Sequence, residues 1–281
     1  MDKLEKIDVL ICAARNDINF ILEYAIKSCI QNFKPLKRIY IVTPDPDEID
    51  RKLEEWQIDK EQIVLLNDSE VLTAEMMNLP GWLKQQIIKL QVEQICSTRY
   101  VCCFGADTVM LKPVTYDELF ENDKAVLYFN RYSTPGIHLH YERKRVENIS
   151  EILQTTPKRA FLLGDFIMEL MIFDCQYLRS LMNYLNQLYG NNALASVVPD
   201  SCDTYSEKTA FGEWTLYAVY ILDVLNDSVP IRNSECKFVR HLHSANDLRR
   251  FQYDCHVAHF VNKSFDTIEL TRRFEAMGIG A

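Results

Sequence analysis

The sequence predicts an α/β protein with a mostly parallel central sheet. Two observations favour this class: segments with strand character alternate with helical segments near the N-terminus, and the strands are apolar at nearly every position. Continuously apolar strands are typical of a parallel sheet, because helices cover both of its faces. The chain has 281 residues and no internal repeat, low-complexity stretch or Gly/Ser linker, so we expect a single domain over residues 1–281.

The first elements follow one another in β-α-β-α-β order. Apolar runs predict the strands, apolar residues at helical spacing predict the first helix, and a charged segment after a Pro-rich turn predicts the second helix. The predicted elements are strand 7–14, helix 20–30, strand 38–43, helix 47–56 and strand 62–66.

Residues 82–95 and 100–113 predict a further helix and strand. The helix has a broad apolar side and a polar side that carries Lys89. The strand is apolar before and after Asp107, and a buried carboxylate must be paired or must hold a cation. Ligands in α/β sheets bind beyond the carboxyl ends of the strands, so we expect Asp107 to meet the loop after the first strand there.

The loop after the first strand offers polar side chains at this edge. Arg15 is a candidate for a phosphate group, and Asp17 for a nucleotide base or a ribose hydroxyl. The alternative is that these residues are polar only because the loop is solvated, and the sequence leaves both interpretations open. Charged residues also cluster over residues 138–151, where we expect a solvated loop.

Composition and charge exclude several classes of function. The net charge of −9 argues against non-specific nucleic-acid binding. The nine cysteines form no C-x-x-C pair and lie mostly among apolar neighbours, which favours reduced thiols and a cytoplasmic location. The two most hydrophobic stretches, residues 161–173 and 214–225, are too short to span a membrane, so we expect a soluble protein, with peripheral membrane docking left open.

Two motifs carry a family resemblance. Residues 81–90 are G-W-L-K-Q-Q-I-I-K-L, and residues 100–114 are Y-V-C-C-F-G-A-D-T-V-M-L-K-P-V. They resemble nucleotide-sugar glycosyltransferases of the GT-A fold, in particular a little-characterised bacterial branch with a G-W-x-x-Q-Q-x-x-K-L helix, a D-A-D-T strand and a later S-E-Y motif. The resemblance extends to about Tyr220 and is most specific over residues 81–114.

The resemblance implies a fold, a donor and a metal. The fold is a GT-A, Rossmann-like domain in which residues 1–114 bind the nucleotide sugar and residues 115–281 bind the acceptor. The donor is a nucleotide diphospho-sugar, with a UDP-sugar favoured, and Lys89 belongs to its binding residues. The metal is Mn²⁺ or Mg²⁺, held in such enzymes by an Asp-x-Asp pair. Here Asp107 matches the second aspartate, and Gly105 stands in place of the first.

A further metal ligand is expected near the C-terminus. Residues 255–263 look like the His-Phe segment with a following lysine that closes over the diphosphate in several GT-A families, which makes His259 a candidate metal ligand and Lys263 a candidate phosphate ligand. A lone histidine is often structural, and His241 with His243 forms a competing cluster, because two residues two positions apart on a strand share one face.

Candidate catalytic and acceptor-binding residues lie in two later segments. Glu213 begins an apolar helix and resembles the glutamate of the S-E-Y segment, so it is a candidate general base for an inverting transfer. The alternative is that Glu213 only stabilises the helix N-terminus through the dipole. Asp165 and Glu169 are candidates for contacts to acceptor hydroxyls, because GT-A enzymes often line the acceptor side with a glycine-containing strand in this region.

Together these features predict a metal-assisted, inverting glycosyltransferase that acts on a glycan, a lipid-linked molecule or a small molecule. One alternative is a sugar-phosphate nucleotidyltransferase, but residues 13–17 lack the glycine-rich loop of that class. The other alternative is a catalytically degenerate nucleotide-sugar-binding subunit, which Gly105 motivates.

Overall fold

The computed structural model describes residues 5–132, 137–198, 211–234, 239–242, 255–260 and 266–279. The strands are β1 (Ile7–Cys12), β2 (Leu36–Thr43), β3 (Ile63–Asn67), β4 (Tyr100–Gly105), β5 (Thr108–Met110), β6 (Phe120–Glu121), β7 (Lys124–Ala125), β8 (Leu127–Phe129), β9 (Leu170–Asp174), β10 (Ile231–Asn233), β11 (Val239–Leu242) and β12 (Val257–Phe260). The helices are α1 (Arg15–Ile18), α2 (Leu22–Asn32), α3 (Pro46–Glu55), α4 (Gly81–Leu90), α5 (Val92–Ile95), α6 (Tyr116–Leu119), α7 (Ile137–Ile152), α8 (Arg159–Leu163), α9 (Cys175–Tyr189), α10 (Ala193–Val197), α11 (Glu213–Val219) and α12 (Thr267–Ala276). Among these helices, none combines the length and the apolar character that crossing a membrane requires.

The central sheet has the strand order β3-β2-β1-β4-β9. The four strands β1 to β4 run parallel to one another, whereas β9 runs antiparallel to β4. The prediction of a mostly parallel sheet is therefore confirmed. The chain moves outward from β1 to β3 and then returns to the other side of β1 at β4. The gap between the ends of β1 and β4 is thus the topological switch point, where α/β proteins bind ligands.

Burial explains why these segments form strands. Every residue of β1 and β9 is buried, and only the last residue of β4 is partly exposed.

Helix α3, between β2 and β3, begins with Pro46 in its first turn, and the Asp45 side chain accepts a hydrogen bond from the Glu48 N–H at 3.4 Å. Proline and an N-cap aspartate both favour a helix start, which is why this helix lies within one residue of its predicted bounds.

Two predicted elements are interrupted in the structure. The strand expected over residues 100–113 ends at Gly105 and resumes as β5 in another sheet, so Asp107 lies in the turn between two sheets. The helix expected over residues 82–95 is broken at Gln91, whose φ of −98° and ψ of 9° are not helical.

The prediction of a loop over residues 138–151 was wrong, because this segment forms helix α7. Its apolar residues are few, but Val146 and Ile149, with Leu153 directly after the helix, recur at helical spacing and are fully buried in the core. Three well-spaced apolar side chains are enough to anchor a helix whose remaining surface is charged.

A second sheet and the C-terminal helix form a smaller core beside the first. Its strand order is β11-β12-β5, with β12 antiparallel to β5. Phe274 of α12 is fully buried, and its ring centroid lies 4.8 Å from that of Tyr24 and 5.8 Å from that of Phe260. This aromatic cluster holds β12, the strand that carries His259, against the rest of the protein.

We expect Phe274→Ala to lower the free energy of unfolding by about 3–5 kcal/mol, because it leaves a cavity among buried rings. Ile268→Ala is the matched control on the same helix, since Ile268 is 63% exposed and its truncation is expected to change the free energy by less than about 0.5 kcal/mol. Urea denaturation of both variants measures the difference. Equal losses would show that the aromatic cluster does not anchor α12.

Candidate functional site

A cavity of about 370 Å³ lies at the carboxyl edge of the central sheet, between the ends of β1 and β4. It brings together six of the residues that the sequence singled out, although they come from distant parts of the chain. Its ionisable lining includes Asp17, Lys89, Asp107, Glu169, Glu213 and His259. The cavity therefore occupies the position that the topology predicts for a ligand site.

Three of these side chains form a compact group, the Asp107–Glu169–His259 cluster. One ligand atom from each residue lies within 4.8 Å of the other two. His259 Nε2 is 3.6 Å from Asp107 Oδ1 and 3.5 Å from Glu169 Oε1. These separations allow one divalent cation to contact all three groups, since carboxylate oxygen and imidazole nitrogen are ordinary ligands of such cations.

Main-chain hydrogen bonds hold the cluster together. The Gly105 N–H donates to the Glu169 carbonyl oxygen at 3.2 Å, which continues the antiparallel pairing of β4 and β9. The Phe260 N–H donates to the Asp107 carbonyl oxygen at 2.9 Å, which fixes the neighbouring His259 beside that carboxylate. Two antiparallel pairings thus deliver side chains from three segments to one point.

The electrostatics of the cluster depend on burial and on mutual charge. Burial raises the pKa of Glu169, although the neighbouring His259 opposes this shift. Burial lowers the pKa of His259, but the carboxylates of Glu169 and Asp107 outweigh that effect, so its pKa is raised overall. The two carboxylates therefore favour the protonated form of His259, and a divalent cation would compensate their charge in place of that proton.

Gly105 lies directly against the cluster and has no room for a side chain. A Cβ atom placed on it would lie 2.6 Å from Thr108 Oγ1, 2.9 Å from Glu169 Oε2 and 3.0 Å from Asp107 Oδ1. Gly105 does not belong to the glycines with positive φ. Close approach of its neighbours, rather than an unusual backbone conformation, is therefore the constraint on this position.

A buried ion pair also lines the cavity. Lys89 Nζ lies 2.8 Å from Glu213 Oε1, and these side chains are 15% and 4% exposed. The Lys89 ammonium also lies 4.3 Å from the centroid of the Trp214 ring, and the Glu213 N–H donates to Gln86 Oε1 at 3.1 Å. Burial lowers the pKa of Lys89, but Glu213 and the other acidic groups nearby together outweigh this effect, and the pKa is raised overall. Lys89 is thus a charged partner of Glu213.

The two candidates in the first loop are separated. Asp17 is buried in α1 and lines the cavity, and its Oδ2 accepts a hydrogen bond from the Ala14 N–H at 2.8 Å. Arg15 is outside the cavity lining, with a side chain that is 71% exposed and lies 3.5 Å from Asp45 Oδ2. The structure therefore supports a position at the site for Asp17 but not for Arg15.

Asp165 does not line the cavity either. Its Oδ1 lies 2.5 Å from Arg145 Nη1 in a buried ion pair, and burial raises the pKa of Asp165 while Arg145 opposes the shift. A Cβ on Gly212 would lie 3.0 Å from Arg145 Cδ, so this pair packs closely beneath the start of α11. The contacts indicate structural support for the Glu213 helix, and the acceptor-binding role of Asp165 stays a prediction.

The remaining C-terminal candidates are His241, His243 and Lys263. His241 lies on β11, opposite His259 in the parallel pairing with β12. His243 and Lys263 lie outside the described residues. Of these histidines, His259 is the one that the described residues place in the cavity lining, beside two carboxylates.

Glu169 is the residue whose surroundings differ most from the expectation. The sequence placed it on the acceptor side, whereas the structure places its carboxylate against His259 and Gly105. One feature of the sequence is consistent with this arrangement in retrospect: position 105 lacks the first aspartate, which leaves the predicted metal site one carboxylate short. Nothing in the local sequence indicated which residue would fill that place.

We expect Lys89→Met to lower the free energy of unfolding by about 3–5 kcal/mol, because it leaves the Glu213 carboxylate buried without its partner. The double variant Lys89→Met/Glu213→Gln is expected to recover most of that loss, since no unpaired charge remains. Urea denaturation of both single variants and the double variant measures the coupling. Additive losses would show that the two side chains do not stabilise each other.

Comparisons with known proteins agree with this architecture. The galactosyltransferase LgtC, in complex with donor and acceptor sugar analogs, superimposes with a TM-score of 0.52 at 12% identity, covering 96% of this chain and 95% of that chain. The apo form of mouse xyloside xylosyltransferase 1 gives a TM-score of 0.51 at 10% identity, covering 91% and 98%. Identities this low show the fold alone, and that fold is the predicted GT-A type.

Sequence comparison assigns the family. No match was found among curated proteins. The sequence model described as "Family of unknown function (DUF6492)" matches residues 13–250, a range that begins directly after β1 and includes Asp107, Glu169 and Glu213. Since this match covers most of the chain, the protein belongs to the DUF6492 family.

Proposed function

We propose that this protein is a metal-assisted glycosyltransferase. It moves a sugar from a nucleotide-diphosphate donor, with a UDP-sugar favoured, to a glycan, a lipid-linked molecule or a small-molecule acceptor. The observation that supports this most is that Asp107 and His259, both singled out from the sequence as metal ligands, meet in a cavity at the switch point of a GT-A fold. The closer resemblance to one bacterial branch and a cytoplasmic location remain predictions.

The residues present fit a divalent cation. Two carboxylates and an imidazole supply ligand atoms that suit Mn²⁺, and Gly105 adds no side chain that would crowd these atoms. Asp107, Glu169 and His259 would hold the cation, with Mg²⁺ as the alternative metal. When bound, a divalent cation neutralises the negative charge that develops on a nucleoside diphosphate leaving group.

Other residues of the cavity have proposed roles in donor binding. Asp17, held by the Ala14 N–H, is placed to accept a hydrogen bond from a ribose hydroxyl or a base. Lys89, expected among the donor-binding residues, has its Nζ 2.8 Å from Glu213 Oε1, and we assign it the role of holding that carboxylate in position. The cavity takes residues from both predicted halves of the chain, so the donor and acceptor halves at residues 1–114 and 115–281 would meet there.

Glu213 is the proposed general base. Its carboxylate lines the cavity, and the hydrogen bond from its N–H to Gln86 fixes the first turn of α11. An acceptor hydroxyl beside Glu213 would lose its proton to this carboxylate as it attacks the anomeric carbon, which inverts the configuration.

The function is tested by incubating the protein with a panel of nucleotide sugars, with and without Mn²⁺, and measuring released nucleoside diphosphate and transferred sugar. Metal-dependent release of UDP or another nucleoside diphosphate supports the proposal. Pyrophosphate formation from a nucleoside triphosphate and a sugar phosphate would identify a nucleotidyltransferase instead. Donor binding without any turnover would identify a binding subunit.

We expect Asp107→Asn to abolish Mn²⁺-dependent donor binding while leaving the fold intact, because the amide keeps the shape of the side chain and loses its charge. Asp59→Asn is a matched control, since Asp59 is exposed and precedes β3 at the opposite edge of the sheet. Calorimetric titration with UDP and Mn²⁺ measures the difference. Unchanged binding in Asp107→Asn would remove this residue from the site.

We expect Glu213→Gln to keep donor affinity and lower turnover by about 10²–10⁴, the usual contribution of a positioned general base. The anomeric configuration of the product, determined by NMR, should be inverted. Turnover that survives the substitution, or a product with retained configuration, would contradict the role of Glu213 as base. Loss of donor binding would place Glu213 on the donor side.

A further inference from the structure

We propose that Glu169 supplies the second carboxylate of the cation site, and that position 105 is glycine because the Glu169 carboxylate needs the space of its side chain. The acidic ligand expected at position 105 has thereby moved to the neighbouring strand. The identity of the cation as a cofactor rests on the proposed function, whereas the ligand set rests on the geometry alone.

The pairing of the two strands explains why Glu169 can replace a residue at position 105. Phe104 lies opposite Leu170 in the antiparallel pair of β4 and β9, and the Gly105 N–H donates to the Glu169 carbonyl oxygen one position further along. Residues directly opposite each other in an antiparallel pair project their side chains to the same face of the sheet. A carboxylate on residue 169 therefore reaches the region that a carboxylate on residue 105 would occupy.

The Glu169 carboxylate, in its present position, leaves too little space for a side chain on residue 105. Glu169 Oε2 would lie 2.9 Å from a Cβ atom on residue 105, and Thr108 Oγ1 would lie 2.6 Å from it. The backbone of Gly105 has no positive φ, so its conformation does not itself require glycine. The requirement arises from the neighbouring side chains, and two of these, Glu169 and Asp107, are carboxylates that lie beside His259.

The replacement preserves the chemistry of the ligand set. Asp107, Glu169 and His259 together offer two carboxylates and one imidazole within 4.8 Å of one another. An Asp-x-Asp pair with the same histidine would offer the same types of ligand atom. Gly105 is therefore a sign of a rearranged site, and the loss of its aspartate does not by itself indicate a degenerate protein.

The first test measures binding of Mn²⁺ alone to the full chain by calorimetry. Glu169→Gln keeps the shape of the side chain and is expected to weaken Mn²⁺ binding by at least about 100-fold, since loss of a residue that only supports a ligand already costs about 10–100-fold. Asp17→Asn is the matched control, because Asp17 is a carboxylate of the same cavity outside the cluster. Equal losses in the two variants would overturn the proposal by showing a general effect of charge.

The second test is a double-mutant cycle between positions 105 and 169. Gly105→Ala is expected to weaken Mn²⁺ binding by about 10–100-fold in the unmodified chain, because its Cβ displaces the Glu169 carboxylate from a fixed geometry. In the Glu169→Ala background the same substitution should cause little further loss. A similar loss in both backgrounds would show that glycine is required by Thr108 or Asp107 instead, and would overturn this part of the proposal.

The outcomes separate this inference from the proposed function. Circular dichroism and thermal unfolding check that each variant folds. If Gly105→Ala does not fold, Mn²⁺ binding by Glu169→Gln tests the proposal on its own. If Glu169→Gln loses Mn²⁺ but no nucleotide sugar is ever bound or turned over, the inference stands and the function falls. If Mn²⁺-dependent turnover is unchanged in Glu169→Gln, the inference falls and the function stands. Absence of Mn²⁺ binding by the unmodified chain would overturn the inference.

Discussion

The cost of keeping several carboxylates in one cavity is the constraint on which the arrangement of this site depends. An ionised group that leaves water must find a partner of opposite charge or a donor of hydrogen bonds. Three different partners meet this requirement: the Ala14 N–H for Asp17, the Lys89 ammonium for Glu213, and the His259 imidazole for Asp107 and Glu169. Only the imidazole can stay in place while a metal ion takes over the compensation of charge, because an imidazole nitrogen can exchange its proton for a metal.

Parallel and antiparallel strand pairings contribute different residues to the cavity. The parallel strands β1 to β4 place the ends of β1 and β4 side by side, which supplies Asp17 and Asp107. The antiparallel pairings of β4 with β9 and of β5 with β12 then add Glu169 and His259 from much later in the chain. The parallel sheet thus determines where the site lies, and the antiparallel strands determine which ligands reach it.

The same division explains how much could be predicted from the sequence. Local signals were sufficient for the alternating elements of the first half and for the helix that begins at Glu213, but not for the break between β4 and β5 in which Asp107 lies. The helix over residues 137–152 was missed because only a few of its residues are apolar, and the contact between Glu169 and His259 was missed because it depends on pairings between distant strands. Propensity and periodicity describe a segment, but they contain no information on its partner across the sheet.

A motif that is read along one strand can therefore be incomplete while the site it describes is intact. Residues that face each other across an antiparallel pair share one face of the sheet, so a ligand can move from one strand to the other without changing its position in space. The move requires that the abandoned position lose its side chain, since two side chains do not fit in the volume of one. Gly105 and Glu169 meet both conditions. Where an acidic motif of a GT-A protein has glycine at one position, the residue opposite it on the paired strand is accordingly the first place to search for the missing carboxylate.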